Sequence, residues 1–233
     1  ILREMTLTEG RSLLKAGLDE LLEADRRKIS NTNLFVTTAV RTLETSSPDS
    51  LDIRVEVKER WYFLALPVFQ LADRNFNEWW YERGRDLRRT TYGLYLSYQN
   101  VTGRADRLRM LAEFGFVPKY ELSYALPYMD KAMTLGFETG VSYTTNKTLP
   151  YRTWNDKLDF FNNENLNRER LVIFANFTKR KRFYDFNSLD LRWNYTELSD
   201  TLAALNPNYL LDGQTQQRYF QLTYSYNYDN RDN

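Results

Sequence analysis

The sequence predicts a mainly β protein whose larger part is an antiparallel transmembrane β-barrel. In residues 92–99, Tyr, Leu, Leu and Tyr alternate with Gly, Tyr, Ser and Gln, and several later segments repeat this period of two. Because successive side chains of a strand point to opposite faces, each segment has one apolar and one polar face. The apolar rows are rich in aromatic residues, and the polar rows carry small, charged or glycine residues. This pattern is typical of a barrel with its apolar face in lipid and its polar face towards a lumen.

Composition excludes several other classes of protein. The chain of 233 residues has a net charge of +1, with no cysteine and no histidine. A balanced charge gives no reason to expect a nucleic-acid partner. The missing residue types exclude, within this chain, disulfide frameworks, Ser-His-Asp catalysis and most zinc sites. The acidic pair Asp156 and Asp159 falls in a predicted surface loop. We therefore predict no enzyme activity, no catalytic or metal site and no cofactor.

Residues 1–60 have a different pattern and are predicted to form a separate α+β domain. Leucines at helical spacing predict an amphipathic helix over Ser12 to Ile29. Alternation then predicts a strand over Phe35 to Leu43 and a second strand over Leu51 to Val57, with a Ser-Pro-Asp-Ser turn between them. A helix on a small hairpin sheet follows.

The run Asn31-Thr32-Asn33-Leu34-Phe35, followed by a strand, a turn and a strand ending Val57-Lys58-Glu59, resembles the last POTRA domain of the BamA/TamA-type barrel-assembly family. Asn33 stands where the family pattern has glycine, and asparagine also adopts the left-handed conformation. The resemblance implies a partial periplasmic POTRA domain over 1–60 whose first strand is missing. Residues 61–233 would then be the N-terminal half of an outer-membrane barrel, with about eight of an expected sixteen strands. The aromatic and charged run 73–84 resembles Bacteroidota-type members.

The first barrel strand is predicted over Trp61 to Leu71, where apolar residues fall on both faces and Pro67 requires an edge or a bulge. Seven more strands are predicted near 92–99, 108–116, 121–128, 133–143, 170–178, 186–198 and 218–228. Long polar loops are predicted at 72–90, 144–167 and 199–213. If residues 1–60 are periplasmic, these three loops lie outside the cell and the short turns inside, apart from one short outer turn at 116–120.

The resemblance implies an outer-membrane protein assembly factor that binds unfolded barrel clients through strand edges and inserts them into the membrane. The implied partners are such clients, outer-membrane lipid and assembly-complex lipoproteins. The alternative is a translocation pore or a passive channel with a periplasmic domain. The client-binding residues on the two strand edges would be Val36, Thr38, Val40, Thr42, Tyr62, Leu64, Leu66 and Val68.

Two groups of charged residues have open interpretations. The inward-facing set either forms ion pairs in the lumen or lines a substrate pathway, and it comprises Arg109, Glu113, Glu121, Glu138 and Arg192. The basic run Lys179-Arg180-Lys181-Arg182 either binds anionic headgroups at the inner membrane face or forms a solvated turn.

Overall fold

The computed structural model describes residues 1–2, 4–10, 12, 17–45, 50–73, 75–82, 84–130, 132–163, 165–182 and 185–228. The chain divides into two compact units, Ile1–Tyr62 and Phe63–Asn233. Three predicted features fall partly outside the described residues: the start of the first helix at 13–16, the turn at 46–49 and the end of the basic turn at 183–184.

The first unit contains α1 (Leu18–Asn31), β1 (Phe35–Glu44) and β2 (Leu51–Glu59), and the two strands pair antiparallel. Leu22 and Ile29 are buried on the helix. Asn33 has a φ of 58°, so it adopts the left-handed conformation predicted for the position where the chain leaves the helix.

A buried carboxylate ties the start of the first unit to its helix. Asp25 of α1 is fully buried. It accepts hydrogen bonds from the backbone N–H of Thr6 at 2.9 Å and of Leu7 at 3.0 Å, and from the Thr6 hydroxyl at 2.6 Å. Burial raises the pKa of Asp25, but these hydrogen bonds and one from Lys28 outweigh burial and lower the pKa below its usual value. The carboxylate therefore stabilises this unit in its charged form.

The second unit is built around one antiparallel sheet of eight strands. Its strands are β3 (Phe63–Leu71), β4 (Thr90–Gln99), β5 (Arg107–Gly115), β6 (Lys119–Leu126), β7 (Leu135–Asn146), β10 (Arg168–Arg182), β11 (Asp185–Leu198) and β12 (Gln216–Tyr228). Each strand pairs with the strands before and after it in this series, and β3 and β12 form the two edges. All eight predicted strands are present, but the described residues form an open sheet and not a closed barrel.

The long polar loop predicted over 144–167 is a connection between two strands of the sheet, but it contains regular structure that was not predicted. Strand β7 continues to Asn146, and a separate hairpin follows, formed by β8 (Thr148–Trp154) and β9 (Lys157–Asn162). The hairpin is ordered by an apolar cluster with the next long connection, which contains α2 (Asp200–Leu205). Leu149, Leu198 and Leu202 form the buried centre of this cluster. The two connections thus fold together at one end of the sheet.

The predicted start of the first barrel strand was also two residues too early. Pairing with β4 begins at Phe63. The Tyr62 hydroxyl instead donates a hydrogen bond to the Leu34 carbonyl at 3.1 Å, within the first unit. The apolar character of Trp61 and Tyr62 extended the apparent strand, although a tyrosine hydroxyl also seeks a polar partner. None of the helices in the described part of the chain is long and apolar enough to cross a membrane.

Candidate functional site

Most of the larger apolar residues of the eight-stranded sheet lie on an exposed face, which we call the outward face; Leu64 and Leu66 of the edge strand β3 are exceptions. Tyr92 is 56% exposed and Ile173 is 47% exposed. Other exposed members of this face are Phe69, Leu94, Tyr98, Met110, Phe114, Tyr120, Leu122, Val141, Phe177, Leu189, Leu191, Phe220, Leu222 and Tyr224. A contiguous apolar surface of this size is not normal for a face in water, and it marks contact with lipid or another protein.

The opposite face, which we call the inward face, is polar and less accessible. Ser97, Ser123 and Asn194 on this face are only 6%, 3% and 1% exposed, although their side chains are small. Among the described residues, no second sheet is paired or stacked in sequence with this one to cover these side chains. Such low exposure without a covering layer is expected on the concave side of a curved sheet. The sheet therefore has a convex apolar face and a concave polar face.

Ion pairs lie on the inward face, and one of them crosses between strands. Arg109 of β5 reaches across β6 to Glu138 of β7, with 2.5 Å between Nη2 and Oε1. Lys119 pairs with Glu121 at 2.9 Å. Arg192 pairs with Asp190 at 2.6 Å. Four of the five charged residues predicted to face inward are thus in ion pairs, which agrees with the ion-pair interpretation: Arg109, Glu121, Glu138 and Arg192.

A glycine on the inward face permits close approach of a neighbouring ring. Gly140 of β7 lies opposite Phe174 of β10. A Cβ at Gly140 would lie 2.7 Å from the Leu122 carbonyl oxygen and 2.7 Å from the Phe174 ring. The ring therefore occupies the space over this glycine, which helps the sheet to curve.

Strand β3 presents one edge without a partner strand among the described residues. Its register with β4 is continuous, with Pro67 opposite Leu94. The Ala72 N–H donates to the Arg89 carbonyl at 2.9 Å, in the same register, and this fixes which residues bond to β4. Because bonded and non-bonded pairs alternate in an antiparallel ladder, even-numbered residues of β3 bond to β4 and odd-numbered ones face the unpartnered edge. Pro67 therefore lies on an edge strand, as predicted. The position where it lacks an N–H is at the unpartnered edge, so no hydrogen bond to β4 is lost.

This alternation changes the set of edge residues in β3. The backbone groups of Leu64, Leu66 and Val68, which the sequence assigned to client binding, bond to β4 and their side chains lie on the inward face. Tyr62 precedes the strand. The odd-numbered residues Phe63, Ala65, Pro67, Phe69 and Leu71 have their backbone groups at the unpartnered edge. Pro67 is the member of this set without an N–H donor. The sequence does contain a signal for which residues face the edge. Proline has no N–H, so residue 67 and the other odd-numbered residues are expected on the side of β3 that does not bond to β4.

In β1 the predicted edge residues do have the required orientation. The Arg60 N–H donates to the Leu34 carbonyl at 3.0 Å, so even-numbered residues of β2 bond to β1. The register pairs Thr38, Val40 and Thr42 with odd-numbered residues of β2, so their backbone groups face away from β2. Val36 lies at a bulge where the register shifts, and it is 60% exposed.

The connection between β3 and β4 carries an aromatic cluster. Trp80 stacks on Phe76 with ring centres 5.2 Å apart, and the Arg85 guanidinium lies 3.8 Å from the centre of a Trp80 ring. The Trp79 indole N–H donates to the Asp86 carbonyl at 3.0 Å. Hydrogen bonding from Arg88 lowers the pKa of Asp86. Amphipathic aromatic and basic residues of this kind are common where a membrane meets water.

Among the described residues, no group of three or more acidic side chains is placed to hold a metal ion. No family model matches the chain. No curated protein matches it either.

A solved structure of BamA from Haemophilus ducreyi, lacking POTRA domains 1–3, has a similar fold. The TM-score is 0.58 and the sequence identity is 14%, over 98% of this chain and 41% of that chain. This chain thus spans about two fifths of the length of the structure it matches. The likeness shows that the fold resembles part of the BamA barrel structure. In the described residues of this chain the sheet is open and antiparallel.

Proposed function

We propose that this chain is the POTRA-linked, N-terminal half of a BamA-type outer-membrane protein that inserts barrel clients into the bacterial outer membrane. The observation that carries the proposal is the eight-stranded sheet with an exposed apolar outward face and a polar, ion-paired inward face. The BamA-like fold supports the same assignment. The role needs no catalytic residue, and a Bacteroidota-type member remains our assignment from the run 73–84.

The unpartnered edge of β3 is the proposed insertion site. Unpaired N–H and C=O groups are strongly unfavourable in hydrocarbon, so a client strand gains by pairing with an edge before it enters lipid. Phe63, Ala65, Phe69 and Leu71 offer backbone groups to such a strand. Pro67 removes one donor from the middle of this row. Pairing at the edge is therefore weaker than in a complete ladder, which favours later release of the client.

The first unit is the proposed periplasmic receiver. Its helix, left-handed Asn33 and hairpin sheet agree with the second part of a POTRA domain. The backbone groups of Thr38, Val40 and Thr42 face away from β2, so an extended client can add to β1 by β-augmentation. Client specificity would be low, because the backbone supplies most of the contact. Assembly lipoproteins are the further partners we propose.

The test uses a second proline on the β3 edge. In Phe69→Pro, the lost N–H faces the unpartnered edge, so the pairing with β4 is kept. We expect the full-length variant, reconstituted in lipid vesicles, to insert an unfolded barrel client several-fold more slowly. Phe69→Ala removes the same ring but keeps the donor, and it should insert clients at close to the wild-type rate. Pro67→Ala restores a donor and should increase client binding at the edge.

If Phe69→Pro folds in the membrane and inserts clients as fast as Phe69→Ala, the β3 edge does not bind clients. A large and steady single-channel conductance that ignores added client would favour the passive channel instead.

A further inference from the structure

A pocket of about 340 Å³ opens on the outward face near the end of the sheet at which β3 begins. Its size lies within the range of about 300–1,000 Å³ that is usual for small-molecule sites. Met129, Leu135, Phe177, Leu189 and Tyr224 form its apolar walls. These residues come from the β6–β7 connection, β7, β10, β11 and β12. The Phe177 ring also lies 5.0 Å from that of Phe137.

Two polar side chains line the same pocket. Lys179 is exposed and forms no ion pair with any residue that the structure describes. Asn187 lies directly opposite Lys179 in the β10–β11 register. Its Oδ1 accepts a hydrogen bond from the Tyr224 hydroxyl at 2.6 Å. Its Nδ2 is buried and has no hydrogen-bond partner within the described part of the chain. Because this nitrogen is inaccessible, Lys179 is the polar side chain of the pair that a ligand can reach.

The accessible lining of the pocket is apolar, and polar groups lie beyond its end, towards the strand ends. The hydroxyls of Tyr224 and Tyr226 point towards the strand end, where they donate to Asn187 and, at 3.0 Å, to Asp185. Tyrosines placed in this way mark the level at which a bilayer meets water. The apolar wall at Phe177 and Leu189 is on the membrane side of this level. A ligand that fills the pocket must therefore be an amphiphile.

The charges at the polar end favour an anion. Lys179 and Lys181 are exposed, next to Arg180 in the same strand. Two carboxylates, Asp185 and Asp130, offset part of this positive charge. Asp185 accepts the Tyr226 hydroxyl. Asp130 accepts backbone N–H groups of Leu135 and Thr134, which together with the Thr134 hydroxyl lower the pKa of Asp130 to about 2. Three basic residues thus exceed two carboxylates at this end, and the two lysines are the exposed ones.

We propose that this pocket binds one anionic glycerophospholipid, with an acyl chain against Phe177 and Leu189 and the phosphate at Lys179. The inference rests on the membrane placement in the proposed function, and it adds a ligand that the insertion role does not require. It also assigns the basic run to headgroup binding, one of its two sequence interpretations. Such a lipid would cover the β10–β11 surface on the periplasmic side of the outer membrane.

The experiment is a titration of the full-length protein in detergent with phosphatidylglycerol or phosphatidylcholine, read by native mass spectrometry. We expect one retained phosphatidylglycerol per chain and weaker binding of phosphatidylcholine. Lys179→Gln should weaken phosphatidylglycerol binding roughly fivefold, the effect of one lysine near an anionic surface. Leu189→Trp fills the apolar part and should weaken binding of both lipids.

Two variants are matched controls. Lys147→Gln makes the same change at the opposite end of the sheet, and Ile173→Trp adds the same ring on the outward face beyond the pocket. Both should bind phosphatidylglycerol as the wild type does. Equal phosphatidylglycerol binding by Lys179→Gln and Lys147→Gln would overturn the proposal. So would a spectrum in which many lipids bind each chain with similar affinity and no single site saturates. Client insertion is measured in parallel: loss of lipid with normal insertion supports the site, whereas failure of the protein to enter lipid at all overturns both proposals.

Discussion

A charge placed on the outward face should separate a membrane sheet from a sheet in water. Ile173 of β10 is exposed and lies six residues from Lys179, which marks the proposed inner boundary. With a rise of about 3.3 Å per residue and a strand tilt of roughly 40°, this places Ile173 about 15 Å from that boundary. An apolar band of about 25 Å has its midplane near this depth. In lipid, Ile173→Arg should therefore lower the free energy of unfolding by about 2–4 kcal/mol.

The adjacent residue provides the control. Val172 pairs with Ser142 and Asn194, so it faces inward among polar residues. Val172→Arg should change the free energy of unfolding by much less than Ile173→Arg does. The assay is urea unfolding of the full-length protein in lipid vesicles, followed by tryptophan fluorescence. If Ile173→Arg stays within about 0.5 kcal/mol of the wild type, as a substitution on a water-exposed surface would, the outward face is not in lipid.

Two further predictions concern stability. Because the pKa of Asp25 is lowered in the folded state, its stabilisation is complete above the unfolded pKa of about 3.9 and is lost as the pH falls through the folded pKa. Amide hydrogen exchange at Thr6 and Leu7 should therefore accelerate in that acidic window by more than the pH dependence of exchange in an unfolded peptide. Asp25→Asn should remove this extra pH dependence and lower the local stability by about 1.5–3 kcal/mol. An unchanged exchange rate in Asp25→Asn would contradict this. Gly140→Val should lower stability by about 1–3 kcal/mol through contact with Phe174, measured by the same urea unfolding, and a cost no greater than that of Ser142→Val would refute the close approach.

Much of the fold could be predicted from the residues alone. Period-two alternation located all eight strands of the sheet and separated an apolar from a polar face, because side-chain direction in a strand depends only on position. Composition separated the two faces, since one row is rich in aromatic residues and leucine and the other in small and charged residues; contact of the apolar face with lipid stays a prediction. The left-handed asparagine at 33 and the edge position of Pro67 were also predictable, because both follow from local backbone geometry.

The edge and the pocket depended on contacts between distant parts of the chain. Which backbone groups of β3 face the unpartnered edge depends on its register with β4, so Leu64, Leu66 and Val68 were assigned in place of Phe69 and its odd-numbered neighbours. The β8–β9 hairpin was hidden in a polar loop because its order comes from the apolar cluster with α2.

The sequence by itself determined strands and faces, for which each residue needs only its immediate neighbours. Tertiary structure decided what several strands build together. Met129, Phe177, Asn187 and Tyr224 are separated by many residues, and only the strand register brings them to one pocket. No local pattern encodes such convergence, because register is set by pairing across the whole sheet.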